Sequence, residues 1–278
     1  MATVDVAIPR PRVPRTRLLA PLATLARRRF QLTTRTPREL LVPLLTPIMF
    51  ALVIAPALKT ALHTDSSYES FVAIGTVGLL IPLNTMFAGL GVIVDRVGGA
   101  QRELLTAPIP RGLLVLGNLL VALAITALQV AVLVVVAVAR GIPFDATTGG
   151  IAWFAGVAAL FTVGMYGLAE ILASRVPRQE EYIARVPAIA ILPWFLAGAL
   201  FPITALPGFL AWIARFLPLT HALALMRYGL GNDGTGLHAI WHMSNQSAMA
   251  GLSLAVVTVF ALLVTAASIR VFSRSVVQ

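Results

Sequence analysis

Long apolar runs, separated by short charged or Pro- and Gly-rich segments, set the pattern of this chain. Six runs stand out, at 40–58, 71–94, 113–139, 151–173, 186–206 and 248–269. A bilayer core about 30 Å thick takes roughly 20 helical residues, and each run is near that length. Strands of a membrane barrel would alternate polar and apolar positions, and these runs do not. The pattern predicts an all-α membrane protein of six transmembrane helices. Pro43, Pro47, Pro82, Pro187 and Pro193 lie inside runs and are expected to kink their helices, which membrane bundles tolerate.

Two segments outside the runs carry patterns of their own. Leu18, Leu19, Leu22 and Leu25 recur at helical spacing before Arg27, Arg28, Arg29 and Phe30. That predicts an amphipathic helix over 18–30, lying at the cytoplasmic interface. Pro9, Pro11 and Pro14 should keep the chain before it extended. The stretch 208–230 is largely apolar but is interrupted by Arg215, Pro218, His221 and Arg227. It is too broken for a seventh span, so a short outer helix or re-entrant element is expected. The organisation read from this is a basic cytoplasmic segment over 1–39 and a six-span domain over 40–278.

Composition sharpens the class. Of 278 residues 58% are hydrophobic and only 12% charged, and the mean hydropathy is +0.89. So few charges cannot cover a water-soluble surface, and disordered chains are polar. Net charge is +10, and every basic residue except Lys59 is Arg. In a membrane chain such a balance reports anionic headgroups and orientation rather than nucleic acid. With the N-terminus cytoplasmic, the inner segments hold 17 of the 21 basic residues: nine before the first run, then Arg96, Arg102, Arg111, Arg175, Arg178, Arg185, Arg270 and Arg274. Lys59, Arg140, Arg215 and Arg227 fall outside. This positive-inside pattern places both termini in the cytoplasm. The Arg bias points to a bacterial plasma (inner) membrane. There is no Cys, which excludes disulfide and thiolate chemistry.

Several motifs invite chemical readings. Gly229, Gly231 and Gly234 match G-x-G-x-x-G, yet no acid follows Asp233 to meet a ribose, so a glycine-rich outer turn is expected. His238 and His242 share a helix face, but no third ligand is near, and no metal site is expected. A nucleotide-binding loop needs Gly before its Lys, whereas Lys59 follows Leu58. This chain is therefore not expected to be an enzyme or to hold a cofactor. Glu170 is the one acid within a run. It lies near the inner end, so snorkelling or pairing with Arg175 or Arg178 is expected ahead of a proton relay.

Between the second and third runs the chain reads Asp95-Arg96-Val97-Gly98-Gly99-Ala100-Gln101-Arg102-Glu103-Leu104-Leu105, then Pro108 and Arg111. This resembles the coupling-helix segment of ABC-2 type transporter permeases, except that Val97 stands where the family often has an acid. The stretch 196–210, with Phe201, Pro202 and Pro207, is similar to the family's fifth-span exit. Pro218, Leu219, His221, Ala222 and Arg227 resemble the outer element of its drug-resistance and nodulation lipo-oligosaccharide export branch. The resemblance implies the permease subunit of an ATP-driven exporter of an amphipathic cargo: a drug-like compound, lipid or lipid-linked sugar. It implies an ATPase-coupling interface at Asp95, Arg96, Gln101, Arg102, Glu103 and Leu104, beside the interfacial residues Arg27, Arg28, Arg29 and Phe30. It implies an outer gate at Phe201, Pro202, Pro207, Pro218, His221 and Arg227. The implied partners are an ABC ATPase that binds the ATP and Mg, a second permease subunit and membrane lipid. A proton-coupled multidrug carrier and a non-transporting scaffold are the alternatives.

Overall fold

The computed structural model describes residues 19–34, 44–63, 66–107, 109–142, 144, 147–231 and 233–275. The proline-rich start, the beginning of the first run with Pro43, and the boundary at 39/40 lie outside them. The described residues are helical with turns between, and no strand occurs among them. Helix α1 is Leu19–Thr34, α2 is Leu44–Ala61, α3 is Ser66–Val97 and α4 is Ala100–Thr106. Then come α5 (Gly112–Ala139), α6 (Thr148–Arg175), α7 (Gln179–Leu196), α8 (Gly208–Ala214), α9 (Pro218–Gly231), α10 (Thr235–Trp241) and α11 (Gln246–Ser275).

Five helices are long and apolar enough to cross a membrane: α2, α3, α5, α6 and α11, or six if the bent pair α8–α9 is one span. Helices α3 and α6 form the centre, and α6 packs on α3, α5, α9 and α11. Of the apolar window of α3, 67% is buried, against 17% in α2, so α2 rides on the outside of the bundle. Exposed Leu, Val and Phe side chains cover the bundle, as lipid-facing helices require.

The fifth run departs from expectation. Instead of one helix over 186–206, α7 starts at Gln179 and stops at Leu196. Glu180, Glu181 and Arg185 in its first turns keep it out of the apolar set. The chain turns at Gly198, whose φ of 79° suits glycine, and Pro202 and Pro207 cannot donate to a continuing helix. Even so, α7 and the turn after it run the length of α3. Arg96 donates to the carbonyls of Ala173 and Val176, the Tyr182 hydroxyl to Met86 O, the Trp194 indole to Gly75 O, and the Tyr68 hydroxyl to Leu200 O.

This ladder defines two ends of the bundle, one at Tyr68 and one at Arg96. Helices α3, α6 and α11 run toward the Arg96 end; α2, α5 and α7 run toward the Tyr68 end. Lys59 meets Glu69 at the Tyr68 end, and Arg111 bonds Ser273 O at the Arg96 end. Both termini of the described chain, in α1 and α11, therefore share the Arg96 end.

Proline leaves its mark on α2. After Pro47 the helix widens into a π-helical stretch, Phe50–Ile54. Arg140 donates to the carbonyls of Ala51 and Leu52 within it.

Candidate functional site

At the Arg96 end, α1 lies against α5 and its arginines reach α3. Arg28 Nη2 is 3.3 Å and Arg29 Nη1 3.6 Å from the Asp95 carboxylate. Arg29 also donates to Ala88 O and crosses Gly91, where a Cβ would stand 1.2 Å from Nη2. Only glycine leaves that passage open. Leu25 packs on the same apolar cluster as Leu104 and Leu105 of α4, with Leu114, Val115, Leu119 and Phe272. The apolar side of the short helix α4 is thus seated on the bundle.

The six residues expected at a coupling surface fall into two groups. Asp95 is enclosed by the two arginines, and Arg96 caps carbonyls at the end of α6. Both face the protein's own interior. Gln101 and Leu104 are half-buried, and Gln101 Oε1 has no described donor. Arg102 and Glu103 stand exposed, and neither side chain has a described partner. Among the interfacial residues Arg27 and Phe30 are exposed, while Arg28 and Arg29 are half-buried.

Glu170 corrects the sequence reading. It is 1% exposed and neither snorkels nor pairs with Arg175 or Arg178. Its Oε2 accepts from the Tyr166 hydroxyl one helical turn back at 2.7 Å. The Asn118 side chain lies beside the same phenol, and Arg29 and Asp95 lie near enough to act on the carboxyl electrostatically. The helix continues to Arg175, so Glu170 remains inside the bundle. Sequence reasoning missed Tyr166, Asn118 and Gly91. The i, i+4 Tyr–Glu spacing was a signal for the first.

At the Tyr68 end, α8 and α9 meet at a bend of 78°. Leu219 and Leu223 of α9 pack at Gly78, well inside α3, while Gly229 meets Gly150 at the start of α6. The pair enters and leaves by the same end, as a re-entrant element does. Gly229 and Gly231 are the last turn of α9 rather than a loop. A Cβ at Gly229 would come 2.9 Å from Gly150 O, so this glycine serves helix contact and not a phosphate turn. Asn232 of the same motif lies outside the described residues.

The residues expected at an outer gate gather here. His221 is buried, and Nε2–H donates to Arg215 O at 2.9 Å. Its Nδ1 accepts from the Ser253 hydroxyl, which in turn accepts from the Trp241 indole. This relay ties α8, α9, α10 and α11 together and fixes the neutral tautomer of the ring. Arg227 lies 3.4 Å above the Phe71 ring and donates to Phe71 O and Ala199 O. Pro207 and Pro218 precede α8 and begin α9, while Phe201 and Pro202 sit exposed in the turn after α7. His238 and His242 stand 6.0 Å apart, edge to face, with His238 Nδ1 donating to Met243 O. No group of three metal-ligating side chains occurs among the described residues.

Comparison with known proteins gives a consistent result. The model of the ABC-2 type transporter family matches residues 21–230, from α1 through nearly all of α9. A putative transport permease, ycf38, of Porphyra purpurea is 26% identical over 228 residues, covering 80% of this chain and 78% of that one. Nodulation protein J of Rhizobium leguminosarum bv. trifolii is 29% identical over 168 residues, covering 58% of this chain and 61% of its own. The same protein of Rhizobium meliloti (strain 1021) is 32% identical over 87 residues, 30% of this chain and 33% of its own.

Proposed function

The chain belongs to the ABC-2 type transporter family, and on that premise we propose that it is the membrane permease of an ATP-driven exporter. As a multi-pass transporter subunit, it lacks the lysine context for binding nucleotide itself. A separate ABC ATPase binds ATP and Mg and docks at the Arg96 end, which faces the cytoplasm. Two permease subunits, alike or different, frame the pathway in a bacterial plasma membrane. Residues 1–39 form the cytoplasmic lead-in and 40–278 the membrane domain. The cargo is amphipathic: a drug-like compound, lipid or lipid-linked sugar. Nodulation protein J and the putative transport permease are relatives whose names fit this reading.

The observation that carries the proposal is the seating of α4. Leu104 and Leu105 fix its apolar side to the bundle, while Arg102 and Glu103 point outward without partners among the described residues. Beside it, Asp95 joins α3 to α1. A soluble ATPase closing beneath α4 would push on a lever already fastened to the central helix, which suits rigid-body transmission. Positive charge supports the orientation. Arg27, Arg28, Arg29, Arg96, Arg102, Arg111, Arg175, Arg178, Arg185, Arg270 and Arg274 all gather toward the Arg96 end, against Lys59, Arg140, Arg215 and Arg227 toward the other.

The test is affinity purification of the full-length chain from its native membrane. An ATPase should copurify, and export in vesicles should need ATP and survive collapse of the proton gradient. Export abolished by an uncoupler with ATP present would favour a proton-coupled carrier. An ATPase bound without any cargo movement would favour a scaffold.

A further inference from the structure

A cavity of about 800 Å³ opens at the Tyr68 end, between α9, α10, the start of α11 and the turn after α7. Its floor holds a guanidinium. Arg227 is only 6% exposed, and no described carboxylate forms an ion pair with it. Phe71 and two carbonyls occupy one face and Nη2, but Nε is buried with no described partner. Asp233 acts on it electrostatically from outside the cavity wall and does not bond it. Thr220, two turns earlier on the same face of α9, is also buried, and its hydroxyl oxygen is likewise unpartnered. Both side chains line the cavity, and His238 and His242 form its opposite wall. No acidic residue lines it.

A buried cation with no ion-paired carboxylate is costly, and a ring face, two carbonyls and the unbonded charge of Asp233 offset that cost in part. Arg227 and Thr220, seven residues apart on one helix face, both line this cavity, and each carries a buried polar atom with no described partner. We propose that this cavity binds the phosphate-type anionic headgroup of an amphipathic molecule, with Arg227 as its counter-ion and Thr220 as a second donor. The planar guanidinium matches phosphoryl oxygens. The volume exceeds a bare phosphate and lies in the range of ordinary small-molecule sites, leaving room for a glycerol or sugar beside the anion. Phe71, Ile203 and Met249 supply apolar wall for what the headgroup is attached to. This deepens the export reading by naming the chemistry that would pause at the exit, and it rests on that reading for the outward direction of the Tyr68 end.

The probes are dihexanoyl phosphatidic acid, inorganic phosphate and the uncharged dihexanoylglycerol. Each is added to the purified full-length protein in dodecyl maltoside, and the thermal midpoint is followed by tryptophan fluorescence. Phosphatidic acid should raise the midpoint saturably, as a ligand of the folded state does, and dihexanoylglycerol should not. Thr220→Val should weaken the apparent affinity about tenfold, the scale of one hydrogen bond to a charged group, and Arg227→Met should abolish it. Arg227 also holds two carbonyls, so Thr220→Val, which preserves shape, decides the matter if Arg227→Met fails to fold. A shift with inorganic phosphate as well would show that the anion alone suffices; a shift with phosphatidic acid only would show that the lipid headgroup is the ligand. Either supports the site. An equal shift with dihexanoylglycerol, no shift with any probe, or an unchanged response in Thr220→Val overturns it. Absence of binding in a preparation that retains its ATPase removes the site and leaves the permease reading standing. Binding without any ATPase does the reverse.

Discussion

Arg29 of α1 passes directly over Gly91 of α3, so the side chain of one residue occupies the space the other would need for a Cβ. The passage lets Arg29 reach Ala88 O and the Asp95 carboxylate. An interfacial helix is thereby keyed into the most enclosed helix of the bundle, next to the Tyr166–Glu170 pair.

Gly91→Val should evict Arg29 and loosen α1 without disturbing the long apolar helices of the bundle. Limited trypsin digestion of the purified protein would read this as faster cleavage at Arg27, Arg28 and Arg29. Adding Arg29→Ala to Gly91→Val should recover part of the lost thermal stability, because the clash disappears with its partner. Plain additivity of the two changes would show that the residues do not compete for one space.

Asp95→Asn removes the negative charge shared by Arg28 and Arg29. The pair is partly buried, so the cost should lie between the ~1 kcal/mol of an exposed pair and the ~3 kcal/mol of a buried one. A lower thermal midpoint, with insertion into the membrane unchanged, is the expected result. A midpoint equal to that of the parent would mean that the two arginines are held by other contacts.

How far the sequence reached depends on what each feature needed. Apolar length sufficed for the crossings near 71–94, 113–139, 151–173 and 248–269, because a membrane helix satisfies its own backbone wherever it packs. The fifth run was misplaced because the expectation looked for an unbroken apolar helix. Instead α7 begins with charged residues at the Arg96 end and breaks at Gly198. Arg227 and His221 were legible as members of an outer element, but the turn carbonyl of Ala199 and the distant Ser253 that bond them were not. Those contacts join segments 28 and 32 residues apart, beyond any local pattern. Asp95 and Arg96 matched a coupling motif, yet their charges are spent within the fold, which no spacing rule could disclose.

Ser253→Ala removes the hydroxyl between Trp241 and His221, leaving a buried indole N–H and an imidazole nitrogen without partners. An unsatisfied buried group costs about 1–3 kcal/mol, so this small change should lower the thermal midpoint clearly. Ser253→Thr, which keeps the hydroxyl, should lose less. Equal loss in both would point to packing around α11 rather than to the relay.

Glu170→Gln keeps an oxygen that can accept from Tyr166 while removing the titratable group. If the carboxyl serves to hold α6 in register, export and stability should stay within about twofold of the parent, a change under 0.5 kcal/mol by the usual conversion. The measurement is ATP-driven export in vesicles across pH 6–8, a span chosen to be about one unit either side of neutrality. Loss of export with an intact fold would revive a proton-relay role for this residue.

Glu103→Arg tests the docking surface itself. Glu103 is exposed, lies in the first turn of α4 and has no described side-chain partner, so reversing its charge should leave the permease folded. Helix α4 has seven residues, so a docking partner can meet few side chains, and each contact weighs heavily. Truncating one member of a desolvated charge pair at an interface costs about 2–5 kcal/mol, whereas a rim charge costs far less and acts mainly on association rate. The expected outcome is normal membrane level, unchanged thermal midpoint, strongly reduced ATPase copurification and reduced export. Arg102→Glu should act likewise. Low salt should sharpen the defect of both variants if the contact sits at the rim, because exposed charges are screened within about 8 Å at physiological ionic strength. Normal export and full ATPase retention in Glu103→Arg would remove this residue from the coupling surface and place the contact on other faces at the Arg96 end.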